Sequence, residues 1–506
     1  MSNERIVFEP ADLAGCATWQ LISPEVFVLC LGAFIAVFVY WSRRPKLNEP
    51  PLVPYKYPLI GHTLEYLRDS EGLLKRCHEQ YGDMFSLYLF REVYTIASND
   101  LAYEMFRSTN FSFKEGLERM FPLGDIIGSK AYPGNAAVLL KDRFYKHVDD
   151  CYSRIYRELQ HNIDQLIGDC EEPKLINNFD EISMTIIARA MANLFVGEEL
   201  CKDDEIVKVF ATFATTLIRV RKLSSIAYLI HPRLQTEYIK LVFKYGDNSP
   251  QKHKDLLTKK LKPIFEKRYQ DMQQFGNEWK RPDDLIQLLL EYSIDMFGKI
   301  HYDCIACRML TLIWASIHTT SANLLNTLND YAGRSEYWND LRKEQEVITD
   351  GLDFDLTMDR MEKLDSFVKE SNRLMGHILM LPHCATCPSF TFSNGYQVPK
   401  GRLVLMNNLT YMSNSSLHGD NPETFSGFRH VSKSPFARVG RDSMAFGLGK
   451  HACPGRWLAS RNIKMAMSIL IRKYEISTLD GKRPKYPIKR GISVLGPLPL
   501  TFKKRK

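Results

Sequence analysis

A single cysteine is bracketed by glycines and a proline in the stretch Phe446-Gly447-Leu448-Gly449-Lys450-His451-Ala452-Cys453-Pro454-Gly455. Gly449 and Gly455 predict backbone conformations that bring amide N–H groups near the sulfur, and such donors tune the charge of a thiolate ligand. A buried cysteine in an ordinary Gly/Pro loop would explain a lone Cys-Pro-Gly triplet. The ten-residue pattern, followed at once by a helical pattern, instead predicts a loop that presents Cys453 as a metal ligand.

This loop resembles the cysteine signature of the cytochrome P450 superfamily, F-x-x-G-x-[RH]-x-C-x-G, and matches it at every position. The resemblance implies a P450 fold that holds haem b (iron protoporphyrin IX), with Cys453 as the axial thiolate ligand of the iron. It further implies that His451 donates a hydrogen bond to a haem propionate and that Phe446 packs beside the macrocycle. Gly449 and Gly455 complete the expected cofactor-binding set in this loop.

A second motif is Glu370-Ser371-Asn372-Arg373, whose charged residues are three apart and therefore share one helix face. On most helices such a pair is solvated and contributes under about 1 kcal/mol. Here Arg429 follows downstream, and the combination resembles the buried Glu-Arg-Arg triad of the P450 superfamily. We therefore expect Glu370, Arg373 and Arg429 to have structural roles that fix the core around the cysteine loop.

A third motif lies in a long helical pattern that places Ala315, Ser316 and Thr319 on one face. Thr319 is expected to bond back to the Ala315 carbonyl, which opens a polar niche for dioxygen and water; a satisfied helix threonine is the alternative. The P450 pattern [AG]-G-x-[DE]-T-[TS] has a glycine in place of Ser316 and an acid in place of His318. Thr319 and His318 are the candidate catalytic residues, with His318 either a proton relay or structural.

Many P450 proteins have a tryptophan and an arginine that contact the haem propionates, but the corresponding stretch Leu139–Tyr145 contains no tryptophan. Lys141 or Arg143 is expected to take that role, although a solvated surface charge explains either one equally well.

The substrate pocket is expected to draw on apolar stretches, each of which core packing would explain equally well. They are the Phe111–Leu140 region, Leu312, Ala315, Met380 to His383, and Val494 to Pro497. A lipophilic, polycyclic substrate follows as a hypothesis.

Hydrophobic periodicity predicts a fold that is mainly α with small β-sheets. Helical patterns cover Leu139–Ile167, Asp180–Phe195, Leu256–Gln274, Asp284–Tyr292, Tyr302–Ala332, Tyr337–Val347, Met361–Met375 and Arg456–Tyr474. Phe85–Ser98 and Ser389–Leu405 are β-rich, the latter with a turn at Asn394-Gly395. Because no long linker interrupts the chain after residue 60, residues 62–506 are expected to form one catalytic domain.

The run from Leu21 to Trp41 is almost wholly apolar and nearly matches the roughly 20 residues that a membrane-spanning helix needs. Basic residues follow at once, which predicts a single-pass anchor with residues 1–20 in the lumen and the catalytic domain in the cytosol. A cleaved signal peptide is the alternative, but a small-x-small cleavage site is missing. Residues 42–61 are basic and proline-rich and predict a stiff hinge. The expected location is the endoplasmic reticulum membrane.

The composition of the 506 residues, 45% hydrophobic with a net charge of +8, suits a globular protein with a large core. Because the basic residues are spread along the chain, nucleic-acid binding is not indicated.

Eleven cysteines without a regular framework favour a reducing compartment. The pairs Cys304/Cys307 and Cys384/Cys387 allow a four-thiolate zinc site, but small buried cysteines are the preferred interpretation.

The resemblance implies a monooxygenase that uses O2 and electrons from NADPH, delivered by a membrane-bound flavoprotein reductase, to hydroxylate or further oxidise a lipophilic small molecule. The Ala-Cys-Pro-Gly-Arg and His-Thr-Thr segments are most similar to fungal microsomal members that oxidise terpenoid, polyketide or alkaloid intermediates. One alternative is a P450-fold isomerase or dehydratase that needs no external electrons, although the presence of Thr319 argues against it. A non-enzymatic haem-binding membrane protein is the other.

Overall fold

The computed structural model describes residues 29, 32, 47–133, 151–223, 225–246, 248–346, 358–375, 379–483, 488–489, 492–493 and 499–505. Residues 49–506 form one compact unit. Helices dominate the described part of this unit, and its strands form small sheets, so the predicted class is confirmed there.

Eighteen α-helices lie within the described residues. They are α1 (Thr63–Arg68), α2 (Ser70–Tyr81), α3 (Asn99–Arg107), α4 (Phe113–Met120), α5 (Leu123–Ile127), α6 (Tyr152–Ile167), α7 (Phe179–Leu200), α8 (Asp204–Leu223), α9 (Ser225–Ile230), α10 (Pro232–Tyr245), α11 (Ser249–Phe275), α12 (Leu285–Phe297), α13 (Tyr302–Ala332), α14 (Trp338–Glu346), α15 (Glu362–Arg373), α16 (Asn408–Met412), α17 (Ser415–His418) and α18 (Arg456–Lys473).

The strands form four small sheets among the described residues. They are β1 (Met84–Leu89), β2 (Glu92–Ala97), β3 (Phe111–Ser112), β4 (Lys174–Ile176), β5 (Leu379–Ala385), β6 (Ser389–Thr391), β7 (Gln397–Pro399), β8 (Leu403–Asn407), β9 (Tyr474–Thr478), β10 (Ile488–Lys489), β11 (Ile492–Ser493) and β12 (Leu500–Lys504). The largest sheet has the order β1-β2-β8-β5-β3, in which only the β2–β8 pair is parallel. β6 and β7 form a hairpin around the predicted Asn394-Gly395 turn, where Gly395 has φ +83°.

Helix α13 is the centre of the fold and has the predicted bounds. It packs against α7, α8, α11, α15 and α18, and residues such as Ile313, Ile317 and Leu324 are fully buried. At its start the Nδ1 atom of His301 accepts a hydrogen bond from the Cys304 amide (3.3 Å). The side chains of Ala315 and Thr319 are exposed within this otherwise buried helix, and this stretch positions the site.

Helices α8 to α10 were not predicted from the sequence pattern, and neither were α1 to α5, α16 and α17. The α8 sequence is rich in valine, threonine and phenylalanine, which lower helix propensity and blur the periodic signal. Burial of Phe210 and Phe213 in the main core, with α8 packed against α7 and α13, outweighs that propensity. The first predicted helix is described only from Tyr152 onward, because residues 134–150 lie outside the described residues.

Among the described residues, no helix combines the length and the apolar character needed to cross a membrane. Nearly all of the predicted anchor, residues 21–41, lies outside the described residues, so the anchor stays a prediction. The second half of the predicted hinge lies against the large sheet. Leu52 forms a bridge with Ser86 of β1, and the ring of Tyr55 stacks on Tyr88 at 5.3 Å.

The two C-x-x-C pairs lie on different elements. Cys304 and Cys307 are buried in α13, whereas Cys384 is buried in β5. The Cys307 thiol donates to the Ile127 carbonyl (3.2 Å) and the Cys384 thiol lies 3.8 Å from the Ala385 carbonyl. The nine described cysteines are free thiols.

Candidate active site

One cavity of about 1760 Å³ lies between the cysteine loop, α13, α4 and β5. It is larger than the roughly 300–1,000 Å³ of an ordinary small-molecule pocket. It brings together six of the predicted site residues, namely Cys453, His451, Phe446, Gly455, Thr319 and His318. Arg373 also lines it, whereas Glu370, Arg429 and Gly449 lie behind its wall. Lys141 and Arg143 lie outside the described residues.

The cysteine loop is a compact turn whose backbone bonds to itself. The Cys453 amide donates to the Phe446 carbonyl (2.7 Å), and the Ala452 amide donates to the Gly449 carbonyl (3.2 Å). Gly447 (φ +73°) and Gly449 (φ +58°) adopt the left-handed region that other residues rarely occupy. A side chain at Gly449 would also approach the Phe106 carbonyl to 3.1 Å, so this position requires glycine, as predicted.

Gly455 brings its amide to the sulfur, as predicted, although its φ of −81° is accessible to any residue. Its contribution is its amide, which hydrogen-bonds the Cys453 sulfur. Burial raises the pKa of the Cys453 thiol, whereas this amide and the nearby Arg456 guanidinium lower it. The loop therefore provides donors that favour the thiolate in an otherwise apolar setting.

The Glu370 carboxylate is fully buried and accepts hydrogen bonds from both predicted arginines. Arg373 binds it through two atoms, with Nε–Oε2 at 2.8 Å and Nη2–Oε1 at 2.9 Å, and the Nε of Arg429 lies 3.1 Å from Oε1. Burial would raise the pKa of Glu370, but the hydrogen bonds from Arg373 and His430 outweigh it and hold this pKa well below the usual range. The predicted triad is thus present as a buried, ionised cluster.

His430 is a member of this cluster that the sequence analysis missed. Its Nε2–H donates to Glu370 Oε2 (3.2 Å), and the Ser426 amide donates to Oε1 (3.0 Å). Arg429 also donates to the carbonyls of His418 (2.6 Å) and Thr424 (2.8 Å). Glu370 therefore fixes the segment that leads into the cysteine loop.

On the opposite wall, α13 has hydroxyl side chains that bond back to its own carbonyls. Thr319 donates to the Ala315 carbonyl (2.7 Å), as predicted, and Ser316 donates to the Leu312 carbonyl (2.7 Å). Such bonds compete with the helical ladder and loosen it locally. One turn further along α13, the Asn323 side chain donates to the Thr319 carbonyl (2.9 Å). The Asn372 side chain of α15 in turn donates to the Asn323 side chain.

His318 also lines the cavity, one residue before Thr319. Burial lowers the pKa of its imidazole below the usual value, so the ring is neutral at neutral pH. A neutral imidazole can both accept and donate a proton, which is compatible with the predicted relay.

His383 is a second residue whose role the sequence analysis missed, since it was grouped with an apolar stretch. It lies at an irregularity of β5 where Leu381 has φ +53°. Its Nδ1–H donates to the Leu381 carbonyl (2.7 Å), while its buried Nε2 has no partner and the ring lines the cavity. Gly116 of α4 permits this arrangement, because a side chain there would meet the Pro382 carbonyl at 2.2 Å.

His451 packs beside His383, with ring centroids 5.3 Å apart. Its Nε2–H donates to the Phe111 carbonyl of β3 (2.7 Å), so Nδ1 of the neutral ring is an acceptor, and the predicted donation to a propionate requires the doubly protonated imidazolium. Phe446 packs against Phe436, with ring centroids 4.8 Å apart.

Most of the predicted pocket stretches line this cavity. They contribute Phe113, Leu117, Leu123, Tyr132, Leu312, Ala315, Leu381 and His383. Val494 to Pro497 lie outside the described residues.

The family model for cytochrome P450 matches residues 50–503, a range that includes both walls of the cavity. The chain belongs to the cytochrome P450 family. This P450 is 24% identical to cytochrome P450 monooxygenase 151 of Postia placenta, over 91% of this chain and 94% of that protein. It is 29% identical to cytochrome P450 monooxygenase AN1598 of Emericella nidulans, over 91% and 89%. It is 28% identical to an ent-kaurene oxidase of Gibberella intermedia, over 65% and 62%.

Among solved structures, the retinoic acid bound cyanobacterial CYP120A1 has the same fold, with a TM-score of 0.66 at 18% identity. The match covers 91% of this chain and all of that one.

The P450 family implies a haem-thiolate cofactor, and the residues of this cavity fit it. The volume exceeds that of a substrate pocket, Ala315 and Thr319 present short side chains opposite the cysteine loop, and the buried Nε2 of His383 lacks a partner. Cys453 would hold the iron, and Phe446 would pack against the macrocycle. His383 and His451 would bind its acidic groups only as protonated imidazoliums, because the one N–H of each neutral ring already donates to a backbone carbonyl.

Proposed function

We propose that this P450 is a membrane-bound monooxygenase that oxidises a lipophilic small molecule, with electrons supplied from NADPH by a flavoprotein reductase. One observation carries the proposal: the Cys453 loop and the Thr319 stretch of α13 line the same cavity. P450 monooxygenases use O2, a redox partner and a substrate, and the curated relatives are named as such enzymes.

The bound haem b supplies the oxidising chemistry, with Cys453 as its thiolate ligand. The protein holds Cys453 through the amide bonds of the loop, and the N–H of Gly455 stabilises negative charge on the sulfur. Phe446 excludes water from that side.

The α13 wall positions and moves protons. The Thr319 hydroxyl, held by the Ala315 carbonyl, offers its oxygen to a water in the cavity. His318 then accepts and returns a proton through its neutral ring, which takes the place of the acid that many relatives have there. Apolar residues such as Leu312 and Phe113 hold the substrate and exclude bulk water.

The substrate is proposed to be a terpenoid, polyketide or alkaloid intermediate of secondary metabolism. Relatives named ent-kaurene oxidase support a terpenoid-like skeleton. The cavity is large and its lining is mainly apolar, which suits such a molecule.

The membrane association is proposed from the apolar run Leu21–Trp41 and from exposed apolar side chains of the catalytic unit. The latter lie near its start and on α9 and α10: Leu59, Ile60, Leu64, Ile226, Ile230, Leu234 and Leu241. The ring of Tyr228 on α9 packs against Phe90, with centroids 4.7 Å apart, which joins α9 to the β1–β2 hairpin. Such a surface suits the cytosolic face of the endoplasmic reticulum.

The test of the reaction class is turnover of the haem-loaded enzyme with NADPH and a microsomal reductase under labelled dioxygen. A monooxygenase places one labelled oxygen atom in the product and requires the reductase. Turnover without reductase or label would instead identify an isomerase or dehydratase, and no turnover of any lipophilic candidate would favour a haem-binding protein without activity.

Membrane attachment is tested separately by comparing the full chain with a variant that lacks residues 1–41. The full chain is expected to sediment with microsomes and to resist extraction at high pH, whereas loss of residues 1–41 should release much of it. Full release of the intact chain at high pH would contradict the anchor.

A further inference from the structure

Among the described residues of the cavity wall, the buried cation Arg308 lacks an anionic partner. Arg308 lies on α13 and is only 6% exposed, yet its side chain lines the cavity. The spacing Arg308, Leu312, Ala315, Thr319 follows one face of a helix, and all four residues line the cavity. Arg308 therefore shares the wall that carries the proposed proton chemistry.

No carboxylate is among the partners of Arg308 in the described part of the chain. Its Nη2 donates to the carbonyls of Tyr132 (3.4 Å) and Pro133, and its side chain also hydrogen-bonds Cys304. The guanidinium lies 6.0 Å from the ring centroid of Tyr292, and its Nε is buried without a partner. Asp303, one turn earlier on the same helix, is already bound by Lys254 Nζ (2.7 Å) and by the Tyr132 hydroxyl. No ion pair joins Arg308 to a carboxylate within the described ranges.

The other cations that line the cavity differ from Arg308 in this respect. Within the described part of the chain, Lys130, Lys369 and Arg373 pair with carboxylates, and Lys114 and Lys450 are exposed. Arg308 thus combines burial with a charge that no described carboxylate neutralises.

A buried charge without a counter-charge is strongly unfavourable unless a ligand compensates it. The planar guanidinium fork matches a carboxylate better than it matches two backbone carbonyls. We infer that Arg308 binds the carboxylate of the substrate, which is an elongated and otherwise apolar carboxylic acid. This inference rests on the proposed function and adds a substrate class to it.

The helix also sets the length of such a molecule. Thr319 lies eleven positions after Arg308, which corresponds to about 16 Å along the axis of α13. An acid held by Arg308 therefore extends past Leu312 and Ala315 and presents its far end beside Thr319. Oxidation is expected at carbons remote from the carboxylate.

The experiment compares binding of dodecanoic acid and methyl dodecanoate to the haem-loaded full chain by calorimetry. The two probes have the same chain and differ in charge. Wild type is expected to bind the acid about tenfold or more tightly than the ester, because a charge-assisted hydrogen bond is made only by the acid. Arg308→Gln should remove that preference and leave the ester affinity within about threefold of wild type.

Two further variants separate charge from packing. Arg308→Lys should retain part of the preference, since it keeps the charge but loses the fork. Lys75→Gln should retain all of it, because Lys75 is an exposed residue that does not line the cavity.

Equal affinity of wild type for the acid and the ester would overturn the inference. An equal loss of affinity for both probes in Arg308→Gln would also overturn it, because it would mark a purely structural arginine. The reduced, carbon monoxide-treated spectrum of the same samples is recorded alongside. A normal thiolate spectrum without an acid preference leaves the proposed function intact and rejects the role of Arg308. An abnormal spectrum in wild type rejects the proposed function, on which that role rests.

Discussion

On the cysteine side of the cavity, Glu370 accepts hydrogen bonds from Arg373, Arg429, His430 and the Ser426 amide, and the cysteine loop bonds to its own backbone. On the α13 side, Thr319 and Ala315 are exposed in the middle of a buried helix, and the charge of Arg308 has no carboxylate partner among the described residues. The cysteine side fixes one geometry, as a metal ligand requires. The α13 side keeps polar groups free for protons and substrate.

The largest expected effect is a loss of stability on the cysteine side. Glu370→Ala leaves Arg373 and Arg429 buried without their shared counter-charge, which should cost about 3–5 kcal/mol of unfolding free energy. Urea unfolding of the haem-loaded protein, followed by the loss of the Soret band, measures this change. Exposed Glu423 is a matched control, and Glu423→Ala should change the free energy by less than about 0.5 kcal/mol. Equal stability of the two variants would mean that the triad does not hold this wall.

The second prediction concerns His418, which lies on the cysteine side but, unlike the Glu370 cluster, has no hydrogen-bond partner for its ring. His418 is buried, neither of its ring nitrogens has a partner, and its pKa is lowered from 6.5 to about 4 mainly by burial. The unfolded chain therefore binds the proton first, so this residue's contribution to stability is present above pH 6.5 and is lost as the pH falls to about 4.

His418→Phe should remove that contribution, on the order of 2–3 kcal/mol, and flatten the pH dependence of stability in this window. The phenyl ring can keep the edge-on packing against Tyr411. Urea unfolding at several pH values measures the slope. His161→Gln, at an exposed histidine, is the matched control. A slope in His418→Phe equal to that of wild type and of this control would refute the assignment.

The third prediction has a smaller effect and concerns proton delivery from the α13 side. Thr319→Ala removes the hydroxyl held by the Ala315 carbonyl, so product formed per NADPH consumed should fall about tenfold, or roughly 1.4 kcal/mol. The thiolate spectrum should remain normal. Thr327 makes the same back-bond to Asn323 (2.8 Å) further along the helix, away from the cavity wall. Thr327→Ala should therefore form as much product per NADPH consumed as wild type. Equal losses in both variants would indicate general damage to the helix.

Motifs that depend on local geometry could be predicted from the sequence. The Thr319 bond spans one helical turn, the Glu370–Arg373 pair lies on one helix face, and the left-handed Gly449 belongs to a short loop. Each involves residues that a few positions along the chain bring together.

Contacts that depend on the packing of distant segments could not be predicted. His430 lies 60 positions after Glu370, and its role follows only from how the segment after α17 packs on α15. His383 and Arg308 became informative only once the structure showed which atoms lack partners beside the cavity. Helix α8 was missed because tertiary burial outweighs its β-branched composition.

The central claim is that Cys453 ligates haem through its thiolate. The most direct measurement is the absorption spectrum of the dithionite-reduced, carbon monoxide-treated protein, recorded for wild type and for Cys453→Ser. We predict a red-shifted Soret band in wild type that disappears in Cys453→Ser. A folded wild-type protein without that band, or a Cys453→Ser variant that retains it, would contradict the account.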